Sequence, residues 1–184
     1  MITIRRNHLA AALISAANKD VRHYINVVLF RVTADGETFL ISTDGHRLFR
    51  GKFQAECTQK GPFDILIPRD AVKTALASRQ PTLDLVALPD GRHSLGDTIF
   101  TPISGVFPDI ERVIPAATSG EVAQFNWDYI VDARNQLRLW EDNRKEYYEL
   151  KYNGSGVGTM SSGEDTLCCV MPVRIIASSS TKGD

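Results

Sequence analysis

The 184-residue sequence has few cysteines, almost no net charge and no long apolar run. Its three cysteines, Cys57, Cys168 and Cys169, are too few and too poorly spaced for a disulfide framework or a zinc site, and they favour a reducing, cytoplasmic location. The 21 basic residues are offset by 22 acidic ones, which argues against a protein coated in positive charge for nucleic acid. No stretch approaches the ~20 apolar residues of a membrane span, and the start lacks the apolar core of a signal peptide.

The residues that are present can build a real core. Hydrophobic residues make up 43% of the chain, and the length allows one or two domains. The last stretch, residues 177–184, is small and polar, so we expect it to be disordered.

A pattern of strand, short helix, hairpin and further strand occurs three times, at a period of about sixty residues. The strongest signals are the turns at Asp35-Gly36, Asp90-Gly91 and Asn153-Gly154, because Asp-Gly and Asn-Gly favour tight hairpins. The first copy is predicted as a strand at 2–5, a helix at 7–18, and strands at 24–33 and 37–42. The second has a strand at 63–67, a helix from Pro68, and strands at 83–88 and 93–100. The third has a strand from 122, a helix at 127–137, and strands at 146–152, 157–161 and 166–175.

The apolar positions of the three predicted helices recur at helical spacing, and each helix has one apolar face. Asn126 is a suitable N-cap for the third helix. One unit cannot cover its own apolar face, but two units side by side can. The positions predicted to be buried are Leu9, Leu13, Ile14 and Ala17, then Val72, Ala75 and Leu76, then Ile130, Ala133 and Leu137.

Three short segments each predict only ordinary local structure when taken alone. TDGHRL at 43–48 is typical of a strand with an Asp-Gly corner, FPDIERVIP at 107–115 of a Pro-bounded linker, and VMPVRI at 170–175 of a buried strand that ends in a cation. Their combination and order are more specific, since they resemble the bacterial DNA polymerase III beta subunit, the sliding clamp.

The resemblance implies an α+β DNA clamp fold built from βαβββ half-domain units. Residues 1–116 resemble the complete middle domain, with half units at about 1–60 and 61–116, and residues 117–176 resemble the second half of the last domain. The first domain of a clamp subunit and the first half of its third domain would have no counterpart here. The implied function is non-catalytic: a ring encircles duplex DNA and tethers polymerase, clamp loader or repair proteins, without a cofactor or a metal.

In the family, the three segments form an apolar groove that binds short peptide motifs of partners. Gly45 would allow close backbone approach, Leu48 and Val113 would supply apolar wall, and arginines would hold peptide carbonyls or carboxylates. The matching positions are Ile25, Thr43, Gly45, His46, Arg47, Leu48, Pro108, Arg112, Val113, Val170, Met171, Pro172, Val173 and Arg174.

Clamp helices also present cations to phosphates in a central channel, without reading bases. Asp128 and Asp132 lie four apart on the third helix and would oppose phosphate there, so a solvated helix face is the competing interpretation. The candidate DNA-binding residues are Arg5, Arg6, Lys19, Arg22, Tyr24, Arg69, Lys73, Arg79, Arg134 and Arg138.

A family ring contains twelve half-domain units, so four chains of three units would supply one ring. The third unit lacks a partner, and a second copy about a two-fold axis is the simplest way to cover it. We therefore expect a homo-oligomer, a dimer of dimers. The chain also continues past Ile175, where clamp subunits commonly stop, and this tail could lie over the groove.

Two other functions remain open from sequence. A competitor would bind clamp-binding peptides, or pair with a full-length clamp, without encircling DNA. A hydrolase would use Asp44 and His46 as an acid–base pair, but no nucleophile or second carboxylate stands at a recognisable spacing. The hydrolase is the weakest of the three.

Overall fold

The computed structural model describes residues 1–55, 61–142 and 147–173. Within these ranges the helices are α1 (Arg6–Ser15), α2 (Arg69–Ala75) and α3 (Trp127–Glu141). The strands are β1 (Ile2–Arg5), β2 (Val27–Val32), β3 (Thr38–Thr43), β4 (Arg47–Phe53), β5 (Phe63–Pro68), β6 (Thr82–Ala87), β7 (His93–Leu95), β8 (Thr98–Phe100), β9 (Leu150–Lys151), β10 (Gly158–Ser162) and β11 (Thr166–Val170). Single 3-10 turns cover His23–Ile25 and Ile110–Arg112. No helix in the described ranges is long and apolar enough to cross a membrane.

The mixed α and β fold class is confirmed, and the elements are described in three successive groups. Unit 1 is β1-α1-β2-β3-β4, unit 2 is β5-α2-β6-β7-β8, and unit 3 is α3-β9-β10-β11. The Asp-Gly turns are made as the sequence indicates, since Gly36 and Gly91 take φ values of 85° and 84° that favour glycine.

Units 1 and 2 exchange their first strands. β1 pairs antiparallel with β6 of unit 2, while β5 pairs antiparallel with β2 of unit 1. The result is a four-stranded sheet in the order β1-β6-β7-β8 and a seven-stranded sheet in the order β5-β2-β3-β4-β11-β10-β9. The three helices lie against these sheets, and the main core includes Leu9, Phe30, Phe49, Leu85 and Leu137.

Unit 3 folds back onto unit 1 of the same chain. β11 pairs antiparallel with β4, with Cys169 opposite Leu48, and α3 packs against α1. Between these helices the buried Gln136 donates from Nε2 to the Ala11 carbonyl at 3.0 Å and to the Ser15 hydroxyl at 2.9 Å. The expectation that unit 3 lacks a partner within its own chain is therefore wrong for one of its edges, because β4 covers β11. At the other edge, β9 pairs with β10 alone among the described residues.

Helix α1 ends earlier and α3 ends later than predicted. Beyond Ser15 the chain becomes extended at Ala16, and the Ala17 amide donates to the Ile25 and Thr43 carbonyls instead of continuing the helix. Because α1 is enclosed by the sheet and α3, its buried residues are His8, Leu9, Ala11, Ala12 and Ser15. Leu13 and Ile14 are only half-buried.

Helix α3 starts as predicted, with Asn126 Oδ1 accepting from the Asp128 amide at 2.9 Å. It continues to Glu141 and stops at Asp142, whose φ of 51° is left-handed. The additional turn places Trp140 against the core, where it is only 6% exposed.

Several strand predictions are wrong. Residues 122–126 form no strand, the strand predicted at 93–100 is interrupted at Gly96, and the last strand stops at Val170 rather than at 175. The strand predicted at 146–152 is confined to Leu150–Lys151. Cys57, Arg174 and the tail at 177–184 lie outside the described residues.

Candidate functional site

A cleft of about 570 Å³ lies where unit 1 meets the segments that follow units 2 and 3. The three segments at 43–48, 107–115 and 170–175 all contribute to it, although they are far apart in the sequence. Its lining includes these predicted positions: Ile25, Thr43, Gly45, His46, Arg47, Leu48, Pro108, Arg112, Val113 and Met171.

Three predicted positions do not line the cleft. Val170 is buried in the main core at 1% exposure, because alternation along β11 turns its side chain away from the cleft. The Val173 amide donates to the Gln124 carbonyl at 2.7 Å, and Pro172 lies between Val173 and the cleft residue Met171. The predicted position Arg174 lies outside the described residues.

The cleft also contains residues that sequence reasoning did not assign to it. Asp109, Ile110, Val157 and Cys169 line it, as do Arg22 and Tyr24, which were assigned to DNA. Strand alternation was the available signal for Cys169, since adjacent cysteines face opposite sides of a sheet. Val157 carries no local signal, because only the pairing of β10 with β11 brings unit 3 to this place.

The Asp44-Gly45 corner forms one wall. Asp44 Oδ1 accepts from the main-chain amides of His46 at 2.9 Å and Arg47 at 3.1 Å, which closes the turn. Gly45 has a φ of 91°, and a Cβ there would lie 3.0 Å from an Arg22 guanidinium nitrogen. The positive φ favours glycine at this corner, and the absence of a side chain lets the Arg22 guanidinium lie directly against it.

Met171 is tied to that wall across the boundary between units. Its amide donates to the His46 carbonyl at 2.8 Å, which extends the pairing of β11 with β4 by one more bond. The Met171 side chain stays 42% exposed at the mouth of the cleft, and Val113 opposite is 43% exposed. Beneath them Leu48 and Ile110 are 3% exposed each. The cleft thus has an apolar floor and an adaptable apolar mouth.

Arg47 was predicted to hold carbonyls or carboxylates of a bound peptide, but its guanidinium is engaged within the fold. Its guanidinium binds Asp44 at 2.9 Å, binds Asp132 of α3, and donates to the Ile14 carbonyl at 3.1 Å. It also lies 4.7 Å from the centre of the Tyr129 ring. These contacts fix α3 to unit 1, so Arg47 holds the cleft together rather than presenting a free charge.

The cations at the mouth are Arg22 and Arg112. Arg22 pairs with Asp20 at 2.9 Å, and the hydrogen bonds from Arg22 lower the pKa of Asp20 to about 2. Arg112 pairs with Asp109 at 3.1 Å and is largely exposed. Exposed pairs of this kind are weak, so either arginine can exchange its partner for a ligand carboxylate or carbonyl.

Two of the residues assigned to DNA are engaged within the fold. Arg6 donates to the Ser78 and Leu76 carbonyls at 3.0 and 2.7 Å, and Arg69 donates to the Leu13 and Ala16 carbonyls at 2.7 Å each. These two arginines cap the ends of each other's helices and are committed to the fold. The exposed candidates are Arg5, Lys19, Lys73, Arg79 and Arg134, whereas Tyr24 and Arg138 are half-buried.

The pair of carboxylates on α3 is less adverse to phosphate than its spacing suggested. Asp132 binds Arg47, which neutralises it within the fold. Asp128 is exposed in the first turn, where a negative charge is favourable to the helix dipole.

The structure gives Asp44 a role in closing a turn rather than in acid–base chemistry with His46. The Asp44 carboxylate accepts from two main-chain amides and from Arg47, which is the pattern of a closed turn. The Cys169 thiol on the cleft floor is poorly suited to act as a nucleophile, because burial raises its pKa to about 12 and keeps it protonated at neutral pH. Within the described ranges, no group of His, Cys, Asp and Glu side chains is arranged to hold a metal ion.

A larger cleft, of about 860 Å³, lies near β1 and the turn between β10 and β11. Its lining mixes Arg5 and Lys52 with Asp165, and the buried His8 lies at its inner side. The three singled-out segments take no part in it, so the smaller, more apolar cleft is the candidate functional site.

Comparison with protein families matches residues 4–88 to the "DNA polymerase III beta subunit, central domain". Among curated proteins, the chain is similar to the beta sliding clamp of Vibrio cholerae, with 37% identity over 114 residues, 57% of this chain and 30% of that protein. It is also similar to the beta sliding clamp of Escherichia coli, with 32% identity over 123 residues, 58% of this chain and 30% of that protein. The matched region thus spans about a third of the length of these relatives.

The fold itself matches solved structures over nearly the whole chain. The DNA polymerase III subunit beta from Pseudomonas aeruginosa superposes with a TM-score of 0.73 at 17% identity, covering 95% of this chain and 67% of the other. The subunit from Borrelia burgdorferi gives a TM-score of 0.73 at 15% identity, covering 95% and 64%. At such low identity these matches show the fold alone, and they extend it through unit 3.

Proposed function

From the relationship of this chain to the bacterial beta sliding clamps, we propose that it is a non-catalytic DNA clamp-like protein. Several copies together would encircle duplex DNA, and the cleft would hold short peptides of replication or repair proteins. One observation carries the proposal: segments around residues 45, 110 and 171 converge on one cleft with an apolar floor.

The chemistry of the cleft suits an extended peptide that buries one or two apolar side chains. Leu48 and Ile110 form the floor, and Met171 and Val113 can adapt to a Leu or a Phe. Arg22 and Arg112 at the mouth can pair with a peptide carboxylate or carbonyl. A volume of about 570 Å³ is within the ~300–1,000 Å³ range of small-ligand sites.

Contact with DNA would be through phosphates only. The net charge of −1 cannot hold DNA through the overall field, so a few exposed cations on the helices and loops would have to do so. Lys73, Arg79 and Arg134 are exposed on or beside α2 and α3, and the binding of Asp132 to Arg47 removes one opposing charge. Encirclement would supply the retention that such weak contacts alone do not.

The competitor is the second candidate, and a specific observation favours it. The cleft is complete within one chain, and two of the predicted DNA-binding arginines, Arg6 and Arg69, are engaged with helix carbonyls. A single chain could therefore capture clamp-binding peptides without any ring. Peptide binding is common to both functions, and only topological binding of DNA separates them.

Fluorescence anisotropy with a dye-labelled peptide that ends in a Leu-Phe pair tests the cleft. We expect Leu48→Lys to weaken binding at least tenfold, about 1.4 kcal/mol, because an unpaired cation would be buried in the floor. Since Leu48 is a core residue, Val113→Lys provides a second variant at an exposed position that should fold normally.

Two controls make this test specific. Ile99→Lys introduces the same charge at an exposed position on β8, and it should leave the affinity unchanged. The Ala-Ala counterpart of the peptide should bind poorly to every variant. Equal affinity of the original chain and Val113→Lys for the Leu-Phe peptide would remove the cleft from the proposed function.

A further inference from the structure

Units 1 and 2 show how a unit of this chain is completed. Each lends its first strand to the second strand of the other: β1 pairs with β6, and β5 pairs with β2. Each also lends the first residue of its helix, since Arg6 and Arg69 donate to carbonyls at the end of the opposite helix. The exchange is reciprocal: each of the two units provides a first strand and a helix-capping arginine to the other, and receives the same from it.

Unit 3 has a helix and three strands, and no fourth unit exchanges strands with it among the described residues. Residues 122–126, which stand where β1 and β5 stand in the other units, form no strand. The second strand, β9, is only two residues long, and β10 is the one strand of the described ranges that pairs with it. Just beyond β9 the Tyr152 carbonyl already accepts from the Gly120 amide of the same chain at 2.9 Å, so only the part of the edge before Tyr152 is open to a partner. Trp127, in the helix position of Arg6 and Arg69, is 79% exposed.

Residues 122–126 are nevertheless already in the place of a first strand. In unit 2, the Ile103 amide donates to the Leu66 carbonyl at one edge of β5, while the other edge pairs with β2. In unit 3, the Val173 amide donates to the Gln124 carbonyl at 2.7 Å in the equivalent position. Because alternate residues of a strand direct their main-chain groups to opposite edges, those of Ala123 and Phe125 face the other edge, where no strand of the described ranges pairs with them.

We propose that this edge is completed by the same edge of a second copy, about a two-fold axis. Residues 122–126 of each copy would extend the sheet at β9 of the other, as β5 does at β2. The surface concerned, called here the exchange face, consists of residues 122–126 and β9 together with Trp127, Val131 and Tyr147. The inference rests on the proposed function, in that it supplies one contact between the copies that a ring requires.

The register follows from the first pair of units. Ile4, two residues before α1, pairs with Leu83. Counting from the start of α3 and from the β9–β10 hairpin places Phe125 opposite Tyr148 of the second copy. Both side chains are half-buried against the main core, as inward residues of a sheet should be. In this register Gln124 lies opposite Glu149, and both are exposed in the single chain.

The exposed aromatic side chains supply a substantial part of the area that a stable dimer needs. Trp127 is 79% exposed and Tyr147 is 85% exposed, and Val122 and Val131 add 79% and 48% of their surfaces. Aromatic side chains bury roughly 150–250 Å² each, so the two aromatics alone offer about 300 Å² of the ~800 Å² that one partner contributes to a standard interface. The paired strands would supply much of the rest.

Light scattering after gel filtration gives the first test. The full chain should have at least twice its 20.4 kDa mass at micromolar concentration. Trp127→Glu should halve the mass of the assembly, and it should fold normally because an acidic residue suits the first turn of a helix. Val21→Glu, at a loop position that is 91% exposed, is the matched control and should leave the mass unchanged.

Cysteine cross-linking gives the second test and identifies the occupant. A chain with Gln124→Cys and a chain with Glu149→Cys should form a disulfide-linked dimer when they are mixed and oxidised. Each variant alone should cross-link at least tenfold less. A cross-link on mixing supports a second copy in the predicted register.

A monomer at micromolar concentration would overturn the inference. An oligomer that is insensitive to Trp127→Glu and gives no cross-link would also overturn it, since another surface or another protein would then be involved. The peptide assay keeps this failure distinct from failure of the proposed function. The cleft lies within one chain, so a monomer that still binds the Leu-Phe peptide would refute the exchange face while leaving the cleft intact.

Discussion

Gly51 should not tolerate even the smallest side chain, because Trp140 of α3 packs directly on it. A Cβ at Gly51 would lie 2.5 Å from Trp140 Cη2 and 2.6 Å from Cζ2, closer than non-bonded carbons approach. Trp140 has little room to move, since its ring stacks on His8 at 3.8 Å and meets the Phe49 ring edge-on.

The magnitude follows from two opposing effects. Overpacking of a core costs about 1–3 kcal/mol. Replacing glycine by alanine in a compatible backbone conformation stabilises by about 0.4–1 kcal/mol, because the unfolded chain loses freedom. We therefore expect Gly51→Ala to lower the free energy of unfolding by about 1–2 kcal/mol, measured by urea denaturation followed by far-UV circular dichroism.

A double-mutant cycle tests whether the contact with Trp140 is the cause. In a Trp140→Leu background the added methyl group has room, so Gly51→Ala should there be neutral or slightly stabilising. The reasoning would be refuted by an unfolding free energy that rises with Gly51→Ala alone. An equal loss of unfolding free energy on Gly51→Ala with Trp140 and with Leu at position 140 would also refute it. Because Gly51 pairs with Thr166 where unit 3 joins unit 1, the substitution should also weaken peptide binding at the cleft.

Three further predictions concern protonation, thiol access and capping. Burial lowers the pKa of His8 from 6.5 to about 4, so the unfolded chain takes up a proton between these pH values that the folded chain does not; stability should fall by up to roughly 3 kcal/mol as pH drops from 6.5 to 4. Urea titrations of His8→Leu should show a flatter pH dependence, and an unchanged slope would contradict the assignment. Burial raises the pKa of Cys169 to about 12 and raises that of Cys168 well above its usual range. In a Cys57→Ser variant, neither thiol should react with DTNB at pH 8 until urea unfolds the chain, so rapid labelling of the folded protein would count against the pairing of β11 with β4. Asn126→Ala should cost about 1 kcal/mol in thermal unfolding, because the N-cap of α3 is lost, whereas Asn126→Asp should retain most of the stability.

The features that sequence predicted well depend on short-range chemistry. The hairpins at Asp35-Gly36 and Asp90-Gly91 follow from the left-handed conformation that glycine accepts, and the start of α3 follows from the capping side chain of Asn126. The convergence of the three segments was expected from a family resemblance, since nothing local in the 107–115 stretch points to a cleft.

The features that sequence missed depend on which parts meet in space. Arg47 was predicted to serve the rim, but α3 brings Asp132 within its reach and fixes it inside the fold. Arg6 and Arg69 were assigned to DNA, but helix carbonyls of the opposite unit engage them. Residues 122–126 were predicted as a strand, yet a strand requires a neighbour, and none of the described strands pairs with them.

The most direct test of the account is retention on DNA of defined topology. The full chain is incubated with a nicked circular duplex at moderate salt, and the bound fraction is followed by gel filtration before and after a restriction enzyme linearises the duplex. A protein that encircles DNA should remain with the circle and be lost when the ends are free. Equal retention on circular and linear duplex, or no retention on either while the Leu-Phe peptide still binds, would contradict encirclement and leave the competitor as the function.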